Sequence, residues 1–136
     1  MKVTIADSLP SLSRVKPAER EPLRVGLVQT KWHEDPSVHE AVLAEGIRDA
    51  ANAGAKIVFL PELTLSRYMA DTKPTDTPNL LAEDLETGST YRFAAAQAKA
   101  NNVFVHISLY EHQPFADGRG LNVAIIVDPQ GRIIAR

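Results

Sequence analysis

Lys56-Ile57-Val58-Phe59-Leu60-Pro61-Glu62-Leu63 decides how this chain is read. Ile57 to Leu60 is a short apolar run with β-branched members, the pattern of a buried strand. Pro61 ends the run, because proline has no N–H to give to a central ladder. Glu62 follows at once. A carboxylate is thereby delivered to the carboxyl end of an interior strand, the edge where sites form in open α/β sheets. A Glu so placed can also be a solvated loop acid or the anion at a helix N-terminus. The surrounding chain decides between these readings.

Upstream, Leu23-Arg24-Val25-Gly26-Leu27-Val28-Gln29 reads as a strand, mostly apolar on both faces. Thr30–Asp35 is the loop after it and carries Trp32. Asp35-Pro36 announces a helix: Asp is a good N-cap, and Pro is pre-set for the first helical position. Leu43, Ile47 and Ala50 recur at i, i+4 and i+7 and form one apolar stripe. Asn52-Ala53-Gly54 ends the helix, with Gly54 suited to a left-handed residue. Strand, helix and strand with tight turns make a βαβ unit, whose crossover is expected to be right-handed.

Downstream, 66–88 is long and irregular, with Pro74 and Pro78 and a short helix expected around Leu80–Leu85. A loop of that length leaving a strand's carboxyl end is usually functional. Ser89 or Thr90 is placed to cap a second, Ala-rich helix over Tyr91–Ala100, which Asn101-Asn102 stops. Val103–Tyr110 and Leu121–Val127 read as third and fourth strands, joined without a helix. Asp128-Pro129-Gln130-Gly131 is a turn by composition, and Arg132–Arg136 begins a fifth strand. Residues 1–22, with Pro10 and Pro17 and no sustained periodicity, read as a loosely held extension. Nothing that would blunt a sheet edge follows Arg136, so a truncated domain over 23–136 is expected.

Composition narrows the class. With 136 residues, the chain is one domain or part of one. Its 44% hydrophobic and 24% charged residues are those of an ordinary globular protein. A formal charge of −2 with interspersed signs gives no reason to expect a nucleic-acid or membrane partner. No stretch reads as a signal peptide or a membrane span, so a cytoplasmic setting is the default expectation. Cysteine is absent, so no disulfide, thiolate metal site or thiol nucleophile can come from these residues. His33, His39, His106 and His112 show no ligand spacing, and neither a metal nor another cofactor is expected. His106, alternating with Phe104 and Ser108, reads as a satisfied core residue.

The order βαβ–αβ–ββ, with Pro-Glu after the second strand, resembles the nitrilase superfamily of carbon–nitrogen hydrolases. Leu23–Gln29 is similar to that family's opening strand. Ala53–Leu63 is similar to the block carrying its catalytic glutamate. Leu121-Asn122-Val123-Ala124-Ile125-Ile126-Val127-Asp128-Pro129-Gln130-Gly131 resembles the strand and turn preceding its catalytic lysine. The resemblance covers Leu23–Arg136. It implies an α/β fold, half of an αββα sandwich, with a mixed sheet and helices on one face.

It also implies a Glu–Lys–Cys triad that hydrolyses a non-peptide amide, carbamoyl or nitrile C–N bond, with Glu62 as general base. The lysine and cysteine would lie beyond Arg136; Lys31, Lys56, Lys73 and Lys99 do not occupy that motif position. Such chemistry wants a thiolate. A free thiol titrates near ~8.5 and a glutamate near ~4.3, so direct proton transfer is uphill by about 4 units, roughly 6 kcal/mol. Desolvating the Glu and placing a lysine cation near the thiol both shrink that gap.

Glu111, after the third strand, is a candidate for positioning substrate or lysine, or a loop carboxylate paired with a neighbour. Asn122 can fix a loop near the site or make a structural bond to backbone, the second being the ordinary role. Trp32, Arg67 and Tyr68 leave the first two strands on the same edge as Glu62 and are pocket candidates; Arg67 suits an anionic substrate group. Ser66 lies close to Glu62 but has no base–orienter pattern to mark it as a nucleophile.

The full-length form implied by the resemblance is a homo-oligomer acting on a small molecule. Two other readings compete. One is a catalytically inert fragment or partner subunit that associates with a full-length family member. The other is a flavodoxin-like binding domain, which an all-parallel sheet would favour and which the helix-free link between the third and fourth strands disfavours.

Overall fold

A computed structural model of the chain describes residues 1–6, 12–13, 16, 19–71, 81–115 and 119–136. The elements are β1 (Val25–Leu27), α1 (Pro36–Asn52), β2 (Ile57–Phe59), a 3-10 turn (Met69–Asp71), α2 (Ser89–Asn101), β3 (Phe104–Glu111), β4 (Leu121–Val127) and β5 (Ile133–Ala135). The five strands form one sheet in the order β1-β2-β3-β4-β5. β1, β2 and β3 are parallel; β4 and β5 are antiparallel to their neighbours. The sheet is therefore mixed, as the resemblance implies, and the all-parallel alternative is ruled out. No helix among the described residues is long and apolar enough to cross a membrane.

Local chemistry explains the helices. The Asp35 carboxylate accepts from the backbone N–H of Ser37 and Val38 and from the Ser37 hydroxyl, with Pro36 in the first helical turn. At the other end Gly54 takes a φ of +91°, which a residue without Cβ adopts freely. α2 begins two residues earlier than Tyr91, and its cap is Gly88, which supplies no side-chain bond. The cap comes instead from outside the helix. The Glu83 carboxylate accepts from the Thr90 backbone and from the Ser89 and Thr90 hydroxyls. Glu83 itself is bridged to Glu111 rather than helical. So the short helix expected over Leu80–Leu85 is not present at 81–85, and Leu80 lies outside the described residues.

Both helices pack on one face of the sheet, α1 over β1 and β2, α2 over β3 and β4. Strand side chains alternate between faces, so one set meets the helices. Val58, Leu60, Val105, Ile107, Leu109, Val123, Ile125 and Val127 join Leu43, Ile47, Phe93, Ala94 and Ala98 in the core. The other set faces away from the helices. Val25 is 49% and Leu27 78% exposed, whereas Gly26 between them is buried. β1 is apolar on both faces as read, but only one of those faces is covered within this chain. It is a three-residue edge strand with helix on one face only. His106 is likewise not a satisfied core residue. It stands on the helix-free face, its ring 4.9 Å from Phe59, and its Nδ1 has no hydrogen-bond partner among the described residues.

The β4–β5 turn is built on Asp128. Its carboxylate accepts from the backbone of Gln130 and Arg132 and from the Arg132 guanidinium. Burial pushes this carboxyl up, but those bonds and the cation beside it outweigh burial and hold it below the usual carboxylate range.

Two predictions follow from this packing. α1 crosses β1 so closely that a Cβ on Gly26 would sit 2.7 Å from the Ala50 Cβ. Gly26→Val should cost about 1–3 kcal/mol in urea unfolding, the usual penalty for overpacking. Because folding lowers the Asp128 pKa, the unfolded chain binds that proton more readily. The stabilisation is complete above the ordinary range near ~4 and is lost as pH falls through the folded value. Asp128→Asn should flatten the acid limb of the stability–pH curve, measured as urea midpoints.

Candidate active site

Strand directions bring five ends toward one edge: the carboxyl ends of β1, β2, β3 and β5 and the amino end of β4. Glu62 stands there, immediately past β2. Its side chain is exposed, so the desolvated base expected from sequence is not what these residues alone provide. It is nevertheless held. The Asn122 Nδ2 donates to Glu62 Oε1 at 2.5 Å. The Ser108 hydroxyl donates to Asn122 Oδ1 at 3.3 Å, and the Leu63 backbone N–H donates to Ser108 Oγ at 3.2 Å. Glu62, Leu63, Ser108 and Asn122 therefore close a ring of hydrogen bonds across β2, β3 and β4. The Asn122 side chain thus bonds to the side chains of Glu62 and Ser108. Tyr110, opposite Asn122 in the ladder, is fixed by a Gly120 N–H that donates to its hydroxyl.

The turn beneath Glu62 is constrained. Leu63 has a φ of +48°, a left-handed conformation that costs a residue with a Cβ about 1–2 kcal/mol. Thr64 stitches it down: its N–H donates to the Ser108 carbonyl at 3.0 Å and its hydroxyl donates to the Pro61 carbonyl at 2.6 Å. The Thr64 hydroxyl also accepts from the Ser108 N–H, and its carbonyl accepts from His39 Nε2 at 2.8 Å.

Glu111 is 6% exposed and ends β3. Alternation puts it on the helix side with Leu109, away from Tyr110 and Asn122. It is not a loop carboxylate. Its partner is the Arg136 guanidinium, which donates to Oε2. A register irregularity where β5 meets Ile126 and Val127 makes that pairing possible. Ile133 opposite Val127 faces the helices and Ala135 opposite Ile126 faces away, so Arg136 turns back toward them. Redirecting a side chain is a recurrent use of β-bulges.

The other candidates are more dispersed. Arg67 makes a surface ion pair with Asp71 at 3.6 Å and is not directed at Glu62 by any contact. Tyr68 is 52% exposed. Trp32 packs on His39 with ring centroids 4.5 Å apart. Ser108, Thr64 and His39 were not candidates from sequence. A polar residue within the apolar run of β3, two before Tyr110, was the one available signal for Ser108. A cavity of about 680 Å³ lies elsewhere, along the outer edge of β1 beside residues 1–6, and includes none of these side chains. Among the described residues no cluster of three or more His, Asp or Glu is arranged to hold a metal ion.

The family model for carbon-nitrogen hydrolase matches residues 24–136. The hydrolase C26A3.11 of Schizosaccharomyces pombe is 29% identical over 126 residues, 92% of this chain and 37% of that protein. Among solved structures, a carbon-nitrogen hydrolase from Helicobacter pylori G27 is similar with a TM-score of 0.68 at 20% identity, over 82% of this chain and 37% of that one. An amidase from Nesterenkonia sp. AN1, seen after Michael addition of acrylamide at its active-site cysteine, gives 0.63 at 19% identity, over 84% and 42%. The chain thus spans well under half the length of these relatives.

The buried Glu111 makes the Arg136 contact energetically consequential. Arg136→Ala should lower stability by about 2 kcal/mol, because a carboxylate loses its charged donor inside the protein. The double variant Glu111→Leu/Arg136→Leu should lose less than Arg136→Ala alone, as read by urea midpoints.

Proposed function

Since the chain belongs to the carbon–nitrogen hydrolase family, we propose that it forms the base-bearing portion of an amidase-type enzyme. The bond cleaved is a non-peptide C–N bond of a small amide, carbamoyl compound or nitrile. The observation that carries this is the Asn122–Glu62 bond at 2.5 Å, which fixes the carboxylate at the sheet edge from a neighbouring strand. Small misplacements of a catalytic group are costly, so a tethered acid suits proton handling.

In this reading the thiol comes from a segment outside the chain, which has no cysteine. For an amide, Glu62 takes the thiol proton as sulfur bonds to the carbonyl carbon. A lysine cation, also from outside, stabilises the oxyanion. The C–N bond then breaks, and the amine leaves with the proton that Glu62 returns to it. Water gives Glu62 a proton as its oxygen attacks the acyl carbon, and the thiol is regenerated. Glu111 and Arg136, on the helix side of the same edge, hold the end of β5. Trp32, Tyr68 and Arg67 are the exposed residues from which substrate contacts are drawn. The whole enzyme works as a homo-oligomer in this reading.

A second reading has its own support. The helix-free face exposes Val25 by 49% and Leu27 by 78%, an apolar surface of the kind partners cover. The chain would then be an inert partner of a full-length family member. Co-purification and size exclusion separate the two: a stable, inert monomer counts against partnership.

The catalytic test joins this chain to the part of the S. pombe hydrolase that follows the matched segment. Glu62→Gln should lower kcat of an active chimera by about 100-fold or more, the scale of general acid–base catalysis, with the fold retained by circular dichroism. Unchanged kcat would remove Glu62 from the mechanism. The 136-residue chain alone should turn over none of these substrates; turnover abolished by Glu62→Gln would reveal a different nucleophile and sink the triad reading.

A further inference from the structure

We propose that His39 is a positioning residue for Glu62, acting through the backbone of Thr64. The inference rests on the reading of Glu62 as the base and names what keeps that base in place.

His39 lies in the first turn of α1, far from Glu62 in sequence, and is 4% exposed. Its Nε2 lies 2.8 Å from the Thr64 carbonyl. A carbonyl only accepts, so Nε2 carries the proton and donates. The bond spans the gap between α1 and the turn after β2. That turn needs outside support, because Leu63 at φ +48° is in a region that persists only when the surroundings over-determine it. Ser108 supplies that support from the β3 side, and His39 supplies it from the helix side.

Packing alone does not account for an imidazole here. The His39 Nδ1 is buried with no hydrogen-bond partner among the described residues. Burying an unpaired ring nitrogen is unfavourable, and a leucine of similar bulk would avoid it. What the imidazole supplies, and leucine does not, is the Nε2 donor. Trp32 packs on the ring with centroids 4.5 Å apart, and the Nε2 bond is itself buried, where a lower local dielectric strengthens it. The loop after β1 and the turn after β2 are thereby joined through one side chain. Both leave the sheet at the edge where Glu62 stands.

The experiment is solution NMR on the full chain, comparing wild type with His39→Leu, His39→Asn and His39→Gln. The readouts are the Leu63 Cα and Cβ shifts, which report the left-handed conformer, and the Asn122 side-chain amide protons, which report the bond to Glu62. The methyl signals of Leu43 and Ile107 report the core. In His39→Leu, Leu63 should lose its left-handed signature and the Asn122 amide its bonded shift, with core methyls unmoved. At least one of the two amide variants, which keep a donor at different reach, should restore both signals. Unchanged Leu63 and Asn122 signals in His39→Leu overturn the proposal, as does a loss that neither amide variant reverses. If His39→Leu does not fold, the amide variants decide: the left-handed signature retained in either supports the role, and its loss in both ends it. Failure of Glu62 as a base would appear in the chimera kinetics and leaves this comparison untouched.

Discussion

A closed ring of hydrogen bonds is the constraint on which the site depends. The Leu63 N–H donates to Ser108, Ser108 to Asn122, and Asn122 to Glu62, whose backbone leads back to Leu63. Leu63, Ser108 and Asn122 each donate onward and the Glu62 carboxylate accepts the last bond, so the three bonds polarise one another in the same sense. The ring ties the ends of three strands and leaves the carboxylate little freedom although water reaches it. Exposure and orientation are therefore separate properties here. The turn holds the acid in place, and the degree of desolvation depends on what covers it.

The sheet has two unlike faces. Helices α1 and α2 bury one, with Leu43, Ile47, Val58, Val105, Ile107 and Val127 almost completely shielded. Burying side chains of this kind contributes about 1.5–3 kcal/mol each, so this face supplies the fold's main hydrophobic stabilisation. The other carries Val25 and Leu27 in the open, with Phe59 and His106 partly covered, and it is also the face on which Asn122 meets Glu62. Its apolar character and its polar ring share one surface, so any layer seated on that face would both bury the exposed residues and shield the carboxylate. The αββα arrangement implied by the family is consistent with that geometry.

Much of the fold was legible because it rests on local rules. Asp35-Pro36 and Gly54 bound α1, since N-caps and left-handed C-terminal residues act within one turn of the helix. Leu121–Val127 and the Asp128 turn read directly, because alternation and Asx chemistry are short-range signals. The start of α2 was misjudged for the opposite reason. Its cap is a carboxylate from Glu83, six residues before Ser89 and outside the helix, a spacing that matches no N-cap pattern. β1 was read as apolar on both faces, which its residues are. Whether both faces are covered depends on what packs there, and that is not encoded in the strand.

Sequence motifs carried the resemblance to the family and the mixed α/β order it implies, and a β-branched run closed by proline placed Glu62 at a strand end, because it fixes where the next side chain falls. Tertiary structure decided how that side chain is held. Asn122, Ser108, Thr64 and His39 come from β4, β3, the turn and α1, and their spacing along the chain follows no period. Only strand register and the seating of α1 on the sheet bring them within hydrogen-bonding distance. The same holds for Glu111 and Arg136, which face each other because a bulge in β5 returns Arg136 to the helix side.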